Sequence, residues 1–427
     1  MVRLRGWWTV AGAVTAVLIV ALGSGGAVAH PVSAVVPGAT AAAPLASFTV
    51  KTVKVGDNPI DATFDPKNGD VYVVNTNSSS VSVINGSTNK VTKTITVGSD
   101  PIEAAYDSVN GDVYVLSQTT PRLTVLSNSN SIVKTITLVA DPTVAEIVPS
   151  GNVYVTCHAS SILDNGDVAV INASTNKVKE LGIGEDAGVP YYDPANGDVY
   201  VINVLSANIS AISSTLKVKS ISLGSGTEPI AMVYSPATKD MYVTLLAGDK
   251  IDAISSANKV VAKIADPNVP YLATYDSVNK DLYVVDEPGV ATSNLTVVSK
   301  SNAVVETLTI PRSEVFGWLD TENGDFYLGT ITGKVLVFNS ATTPAFVKNL
   351  SAAKYPLFTF EDPSTNDVWV LCYAATATAS SVYIFSSANA HLATEKVGDG
   401  GITLTYDSTN GDYYVADYGS DTVSVVS

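Results

Sequence analysis

An aromatic residue followed by a short run of β-branched residues recurs nine times along this chain of 427 residues. Successive copies lie 40 to 46 residues apart. This spacing matches one four-stranded blade of a β-propeller and exceeds the period of leucine-rich or ankyrin repeats. We therefore predict an all-β propeller of nine four-stranded blades. The recurring aromatic residues are Tyr72, Tyr114, Tyr154, Tyr200, Tyr242, Tyr283, Tyr327, Trp369 and Tyr414.

The second copy shows the repeat unit clearly. Strands are predicted at 101–107, 113–117, 123–126 and 131–138, because each segment alternates apolar with polar residues or is briefly all apolar. Asn-Gly pairs separate the first two strands in five copies, beginning at Asn68, Asn110, Asn196, Asn323 and Asn410. We expect these pairs to form type I′ turns with positive φ at both residues.

An aspartate begins this turn in seven copies. A catalytic group would not recur seven times, so the carboxylates are expected to cap the adjacent turn. These residues are Asp65, Asp107, Asp193, Asp276, Asp320, Asp362 and Asp407.

The two ends of the repeat array fit together. The ninth copy supplies three predicted strands, at 401–406, 412–416 and 422–426, while a lone strand at 48–55 precedes the first copy. The lone strand is expected to complete the ninth blade and close one ring. Nine blades exceed the usual range of about four to eight. Two partial rings are the alternative, but each would lack a closing strand.

The composition and the N-terminus indicate an exported protein. The formal net charge of −16 argues against nucleic-acid binding, because an acidic surface repels phosphate. Arg3 and Arg5 precede an apolar run at 7–22, and Ala27-Val28-Ala29 fits the small-x-small cleavage rule. We predict a signal peptide at 1–29 cleaved after Ala29, a Pro- and Ala-rich linker at 30–47, and one propeller domain at 48–427. An uncleaved signal anchor is the alternative, and no transmembrane anchor is expected after signal removal.

Cysteine and histidine are scarce. Cys157 and Cys372 occupy the same repeat position in copies three and eight, which a ring places too far apart for a disulfide. We expect both to be buried free thiols. The three histidines, His30, His158 and His391, are scattered along the chain, so no histidine-based metal or acid–base centre is predicted.

The strand after each first turn resembles a known repeat. Tyr72-Val73-Val74-Asn75 and Tyr200-Val201-Ile202-Asn203, together with the preceding Asp-x-x-Asn-Gly-Asp pattern, look like the YVTN family of β-propeller repeat proteins. The resemblance covers nearly all of 48–427. It implies an exported or surface-layer-associated protein and carries over no catalytic residues.

One position near the predicted channel mouth varies among copies in an informative way. It holds Asp61 and Glu103 in copies one and two, and Phe316 and Phe358 in copies seven and eight. Two neighbouring carboxylates could bind Ca²⁺ or form an acid–base pair. The alternative is that they are solvated or ion-paired at a strand end. Asp286-Glu287 is a further acidic pair, which we expect to be a solvated loop.

Asn-x-Ser/Thr sequons make six asparagines possible glycan acceptors in an exported protein. They are Asn77, Asn85, Asn172, Asn208, Asn294 and Asn349.

These observations favour a secreted or cell-surface propeller that acts as a non-catalytic binding or scaffold module. We expect a monomer without a cofactor, whose partners are proteins or glycans at the cell surface. A metal-dependent enzyme of the lactonase or lyase kind at the channel mouth is one alternative. A structural component of the cell envelope or surface layer is another.

Overall fold

The computed structural model describes residues 48–158, 165–286, 291–313, 317–319, 324–341, 345–353, 355–374 and 379–427. These residues form nine four-stranded antiparallel sheets, which confirms the all-β propeller and its nine blades. Within the described ranges the helical content is one 3₁₀ turn, Leu246–Gly248. No helix in this part of the chain is long and apolar enough to span a bilayer. The predicted signal peptide and linker lie outside the described residues.

The strands follow one another along the chain in blade order. The first is β1 (Val50–Lys54). Blades 1 to 3 contain β2 (Pro59–Asp65), β3 (Asp70–Asn75), β4 (Ser80–Asn85), β5 (Lys90–Thr96), β6 (Pro101–Tyr106), β7 (Val113–Ser117), β8 (Arg122–Leu126), β9 (Ile132–Thr137), β10 (Asp141–Ile147), β11 (Val153–His158), β12 (Asn165–Ile171) and β13 (Val178–Glu185). Blades 4 to 6 contain β14 (Ala187–Tyr192), β15 (Val199–Asn203), β16 (Asn208–Ile212), β17 (Val218–Ser222), β18 (Pro229–Ser235), β19 (Asp240–Leu245), β20 (Lys250–Ser255), β21 (Lys259–Ala265), β22 (Pro270–Tyr275), β23 (Leu282–Asp286), β24 (Thr292–Val298) and β25 (Val304–Pro311). Blades 7 to 9 contain β26 (Gly317–Leu319), β27 (Asp325–Thr330), β28 (Lys334–Asn339), β29 (Phe346–Ser351), β30 (Pro356–Glu361), β31 (Val368–Cys372), β32 (Ala379–Phe385), β33 (His391–Asp399), β34 (Gly401–Tyr406), β35 (Tyr413–Asp417) and β36 (Thr422–Val426).

Burial follows the order of strands within each blade. The second strand is buried on both faces, as in β3 and β7, which explains why it reads as a continuous apolar run. The fourth strand is the exposed outer edge, as in β5 and β9. The apolar core lies between neighbouring sheets. One cluster, for example, joins Tyr327 and Val337 of blade 7 to Val368 and Val370 of blade 8.

The ring closes as the sequence predicts. Strand β1 pairs antiparallel with β36, from Val50 opposite Val426 to Lys54 opposite Thr422, and so supplies the fourth strand of blade 9. Thr49 and Ser427 extend this pairing by exchanging two backbone hydrogen bonds of 3.0 Å. Strand β2 of blade 1 then packs against β34 of blade 9.

The predicted type I′ turn is wrong. Four residues, 66–69, connect Asp65 to Asp70, and φ is positive at Gly69 (73°) while Asn68 keeps a negative φ. Four-residue hairpin loops are usually built on a type I turn, which needs only one left-handed residue. The capping role of the aspartate is confirmed. The Oδ1 atom of Asp65 accepts a hydrogen bond from the N–H of Lys67 at 2.8 Å. Asp107, Asp193, Asp276, Asp362 and Asp407 make the same bond, and Asp320 lies outside the described residues.

The recurring tyrosine forms a hydrogen bond to the next blade at five of the nine junctions. The hydroxyl of Tyr414 in blade 9 donates a hydrogen bond of 2.6 Å to Oδ1 of Asn89 in blade 1. Asn89 donates in turn to Asp412 at 2.9 Å. The same tyrosine–asparagine bond joins Tyr72 to Asn130, Tyr200 to Asn258, Tyr242 to Asn302, and Tyr327 to Asn389. The recurring aromatic therefore has a structural role in the ring.

Candidate functional site

The candidate site lies on the inner strands β2, β6 and β10 of the first three blades. Each strand has a proline as its first or second residue, followed by a β-bulge that inserts one extra residue before the candidate position. The residue at which the pairing resumes after the bulge is Asp61 in blade 1, Glu103 in blade 2 and Val144 in blade 3.

Asp61 and Glu103 each bind the backbone of the following blade. Oδ2 of Asp61 accepts a hydrogen bond of 2.8 Å from the N–H of Ala104, and Oε2 of Glu103 accepts one of 2.9 Å from the N–H of Ala145. Their exposed fractions are 8% and 4%. The alternative of solvated or ion-paired acids is therefore wrong, because both carboxyl groups are buried and bonded to main-chain amides.

Burial also raises the pKa of both carboxyl groups above their ordinary values. It raises the pKa of Asp61 to about 6. It raises the pKa of Glu103 well above its ordinary value, and the nearby charge of Asp61 raises it further. The main-chain hydrogen bonds offset only part of the cost of removing the charge from water, and no lysine or arginine in the described ranges pairs with either group.

A third carboxyl group, Glu146, belongs to this region and was missed in the sequence. It lies on β10, two residues after Val144 and on the same face of the strand. Burial raises its pKa to about 8, and its charge adds to the pKa shift of Glu103. A comparison of one repeat position across the blades does not reveal Glu146. The signal in the sequence is the alternation of faces along β10, which places Glu146 on the same face as Val144.

Of the two predicted aromatics, one lies within the described residues. Phe358 is half-buried on β30 and packs against two apolar clusters, the one between blades 8 and 9 and the one that includes Ile60 and Ala104. No direct contact of Phe358 with Asp61 or Glu103 is seen among the described residues. Phe316 lies outside the described residues. The described part of the chain contains no group of three or more histidine, cysteine or acidic residues arranged to hold a metal ion. Ca²⁺ takes six to eight oxygen ligands, so Ca²⁺ binding by Asp61 and Glu103 stays a prediction.

A second pair of buried carboxyl groups lies in blade 6. Asp286, at the end of β23, and Asp266, in the connection that follows β21, have exposed fractions of 0% and 1%. They hydrogen-bond each other, and Thr296 donates to Oδ2 of Asp286 at 2.9 Å. Burial and, after it, the charge of the adjacent Asp266 together raise the pKa of Asp286 to about 8. The expectation that Asp286 belongs to a solvated loop is wrong.

Both cysteines and two of the three histidines lie within the described residues. Cys157 and Cys372 are buried free thiols, and burial raises the pKa of each to about 12. His158 lies 2.5 Å from the carbonyl oxygen of Ala187, and His391 lies 2.8 Å from the hydroxyl of Thr394. His158 and His391 therefore contact different partners on different blades.

The sequons differ in their access to solvent. Asn77, Asn172 and Asn349 are exposed, whereas Asn85, Asn208 and Asn294 are half-buried. Glycosylation of any of them stays a prediction, with the exposed three as the better acceptors.

No family model and no curated protein sequence matches this chain. Solved structures do. A eukaryotic initiation factor superposes with a TM-score of 0.59 at 11% identity, over 80% of this chain and 88% of that one. The dihydro-heme d1 dehydrogenase NirN in complex with DHE gives 0.58 at 10% identity, over 78% of this chain and 74% of that one. The Dos1 propeller gives 0.55 at 8% identity, over 88% and 95%.

These likenesses support one conclusion about class: the chain is a β-propeller protein. At such low identity they show the fold alone, and the neighbours include an enzyme beside other propellers. Membership of the YVTN family stays a prediction.

Proposed function

We propose that this protein is an exported, cell-surface β-propeller of the YVTN kind that acts as a non-catalytic binding or scaffold module. One observation carries the proposal. Asp61 and Glu103, the acids that the sequence singles out for chemistry, are buried and bonded to the backbone of the next blade. A general acid or base must reach a substrate proton, and one oxygen of each of these buried carboxyl groups already accepts a main-chain hydrogen bond.

The rest of the molecule supports the same proposal. The signature tyrosines and the turn aspartates, which are the most regular polar residues, are used in interblade bonds and turn caps. Such a ring presents two faces and an outer wall built from loops and edge strands. Surfaces of this kind suit binding of another macromolecule. Export rests on the charged and apolar pattern of residues 1–29.

The test of the non-catalytic role is a comparison of turnover. Purified protein is incubated with a panel of lactones and cyclic esters, with and without millimolar Ca²⁺ or Mg²⁺. The variant Asp61→Asn with Glu103→Gln keeps the shape of both side chains and removes their acidity. We expect the two proteins to give the same background rate. A wild-type rate that the variant loses would replace the proposal with the metal-dependent enzyme.

Export is tested separately by mass spectrometry of protein from a secreting host. We expect a mature N-terminus at His30 in the medium or at the cell surface. Protein that stays in the cytosol with residues 1–29 attached would contradict the proposed location.

A further inference from the structure

An open groove runs along the outer wall between blades 7 and 8. It has a volume of about 410 Å³, within the range of about 300–1,000 Å³ that is usual for small-molecule sites. Lys348, Asn349 and Ser351 of β29 form one wall. Tyr383, His391 and Thr394, from β32 and β33, line the other.

Aromatic rings make this groove different from its counterparts. Tyr383 is half-buried and lies opposite Val370 in the pairing of β31 with β32. None of the matching positions in the other eight blades holds an aromatic residue. They hold Ser82, Thr124, Ala169, Ser210, Asp252, Thr296, Leu336 and Ser424. His391 likewise stands where Val91, Ile132 and Val304 stand in other blades. The repeat alone therefore does not require either ring.

The rings form a continuous surface. The centroid of His391 lies 5.6 Å from that of Phe385, at an interplanar angle of 63°, and 6.2 Å from that of Tyr383. Phe385 is buried beneath them and holds the cluster in place. An exposed aromatic surface of this kind offers an apolar face to a flat ligand.

The charge among the described residues that line the groove is positive. Lys348 contributes a cation, and its ammonium group is held by the carbonyl oxygen of Asn389 at 2.9 Å. None of the described lining residues is acidic, although the chain contains 40 acidic residues. Asn349, Ser351 and Thr394 add amide and hydroxyl groups on both walls.

We propose that this groove binds an acidic carbohydrate, such as a chain of hexuronic acid residues. The apolar face of a sugar ring packs on Tyr383 and His391, the sugar hydroxyls bond to Asn349, Ser351 and Thr394, and the carboxylate pairs with Lys348. This inference gives a ligand class and a location to the binding role proposed above and rests on it.

A matched control groove exists between blades 3 and 4. It has a volume of about 450 Å³ and contains Lys177 and Lys179, but the described residues that line it include no aromatic ring. Attraction of an anion by lysine alone would act equally in both grooves. The proposed ligand requires the rings and so selects the groove between blades 7 and 8.

The test is calorimetric titration of the full chain with trigalacturonate, and with uncharged maltotriose for comparison. The protein is made in a host without N-glycosylation, so that Asn349 is free. At an ionic strength of about 0.15 M, charges more than about 8 Å away are largely screened, so that Lys348 rather than the net charge of −16 acts on the ligand. We then expect one saturable site with a dissociation constant of about 1 mM or tighter for trigalacturonate, and at least about tenfold weaker binding of maltotriose.

Four variants locate the site. Tyr383→Ser introduces the residue that three other blades carry, so the blade should still fold, and it should weaken binding by about tenfold or more. Tyr383→Phe keeps the ring and should retain binding. Lys348→Met should remove the preference for the charged sugar, while Lys179→Met in the control groove should change nothing.

Several outcomes would overturn the inference. These are the absence of saturable binding up to about 10 mM, equal affinity for the neutral sugar, and full binding by Tyr383→Ser with an unchanged melt. Any of them would leave the broader binding role standing, because that role is tested by turnover and localisation and does not need this groove.

Discussion

At the scale of single residues, the repeated polar side chains form hydrogen bonds that join neighbouring blades. Tyr414 is fully buried, yet its hydroxyl finds Asn89 across the junction where the chain meets itself. Asn89 can take this place because its φ of 51° lies in the left-handed region, which asparagine tolerates better than most residues. One residue thus shapes the turn and accepts the interblade hydrogen bond.

We expect Tyr414→Phe to lower the free energy of unfolding by about 1–2 kcal/mol, because Asn89 keeps a buried acceptor without its donor. The measurement is denaturant unfolding. The matched control is Tyr154→Phe. The hydroxyl of Tyr154 forms no hydrogen bond with another described residue. Leu216 holds the left-handed position of the neighbouring turn that asparagine holds elsewhere. Equal losses in the two variants would contradict the structural role of the tyrosine–asparagine bond.

At the scale of elements, β1 differs from every other strand because its blade partners come from the far end of the chain. Val53 is buried beside Tyr414 and Val425, and Phe48 packs edge-on against Trp369 of blade 8 with ring centroids 5.3 Å apart. Without β1, blade 9 would have three strands and an open edge facing solvent.

A chain that begins at Gly56 should therefore unfold at a lower temperature than one that begins at Phe48. We expect a difference of about 5 °C or more, since loss of the strand exposes several apolar side chains. The measurement is calorimetry on both chains beside the full-length protein, and the chain from Phe48 should melt like the full chain. Identical melting of the two shortened chains would show that β1 does not hold the ring closed.

Most of this element-scale structure could be predicted from the sequence. The spacing of the aromatics was enough to predict the blades, since each blade depends on a local pattern of about forty residues. The closure followed from counting the strands at the two ends of the repeat array, where three strands at one end and one strand at the other make a whole blade. The turn type was wrong because Asn68-Gly69 forms only the end of a longer loop that starts at Asp65. Loop length is set by strand register, which the dipeptide does not reveal.

The site was harder to predict for a physical reason. The partner of Asp61 is a backbone amide 43 residues away in the next blade. The contact between Asp266 and Asp286 likewise joins a connection to a strand end. Such pairs follow from the stacking of sheets, and no feature within one repeat marks them. The sequence identified Asp61 and Glu103 as unusual but could not show that they face main-chain amides.

At the scale of the whole molecule, the buried carboxyl groups make stability depend on pH. Burial raises the pKa of Asp417 to about 7, close to the values of Asp61, Glu146 and Asp286. In the unfolded chain these groups lose their protons near pH 4. The native protein therefore binds more protons than the unfolded chain between about pH 4 and pH 8. Unfolding free energy must fall as pH rises through this window.

We expect the full chain to melt at a higher temperature at pH 4.5 than at pH 8, with a loss of stability on the order of a few kcal/mol across the window. Asp286→Asn should reduce this slope and raise stability at pH 8. Asparagine occupies the matching position in blades 1 and 4, at Asn75 and Asn203, so the variant suits the fold. Calorimetry at several pH values makes the comparison. Stability that rises from pH 4.5 to pH 8 would contradict the burial of uncompensated carboxyl groups.

The closure of nine blades into one ring is tested most directly by a cross-link between its two ends. Lys54 and Thr422 lie opposite each other in the β1–β36 pair. Thr49 and Ser427 form a hydrogen-bonded pair, and the N–H of Val55 donates to the carbonyl oxygen of Asp421 at 3.2 Å. Because hydrogen-bonded and non-hydrogen-bonded pairs alternate along an antiparallel ladder, Lys54 and Thr422 occupy a close, non-hydrogen-bonded position. Such positions bring Cα atoms to about 4.5 Å, within the reach of a disulfide.

The measurement is mass spectrometry of the variant Lys54→Cys with Thr422→Cys after mild oxidation. A closed ring predicts one intramolecular disulfide in monomeric protein, and no such bond in the control Lys51→Cys with Thr422→Cys, whose side chains point to opposite faces. The native cysteines are buried and should not interfere. Free thiols in the first variant, or disulfides between molecules, would contradict a ring closed by its own first strand.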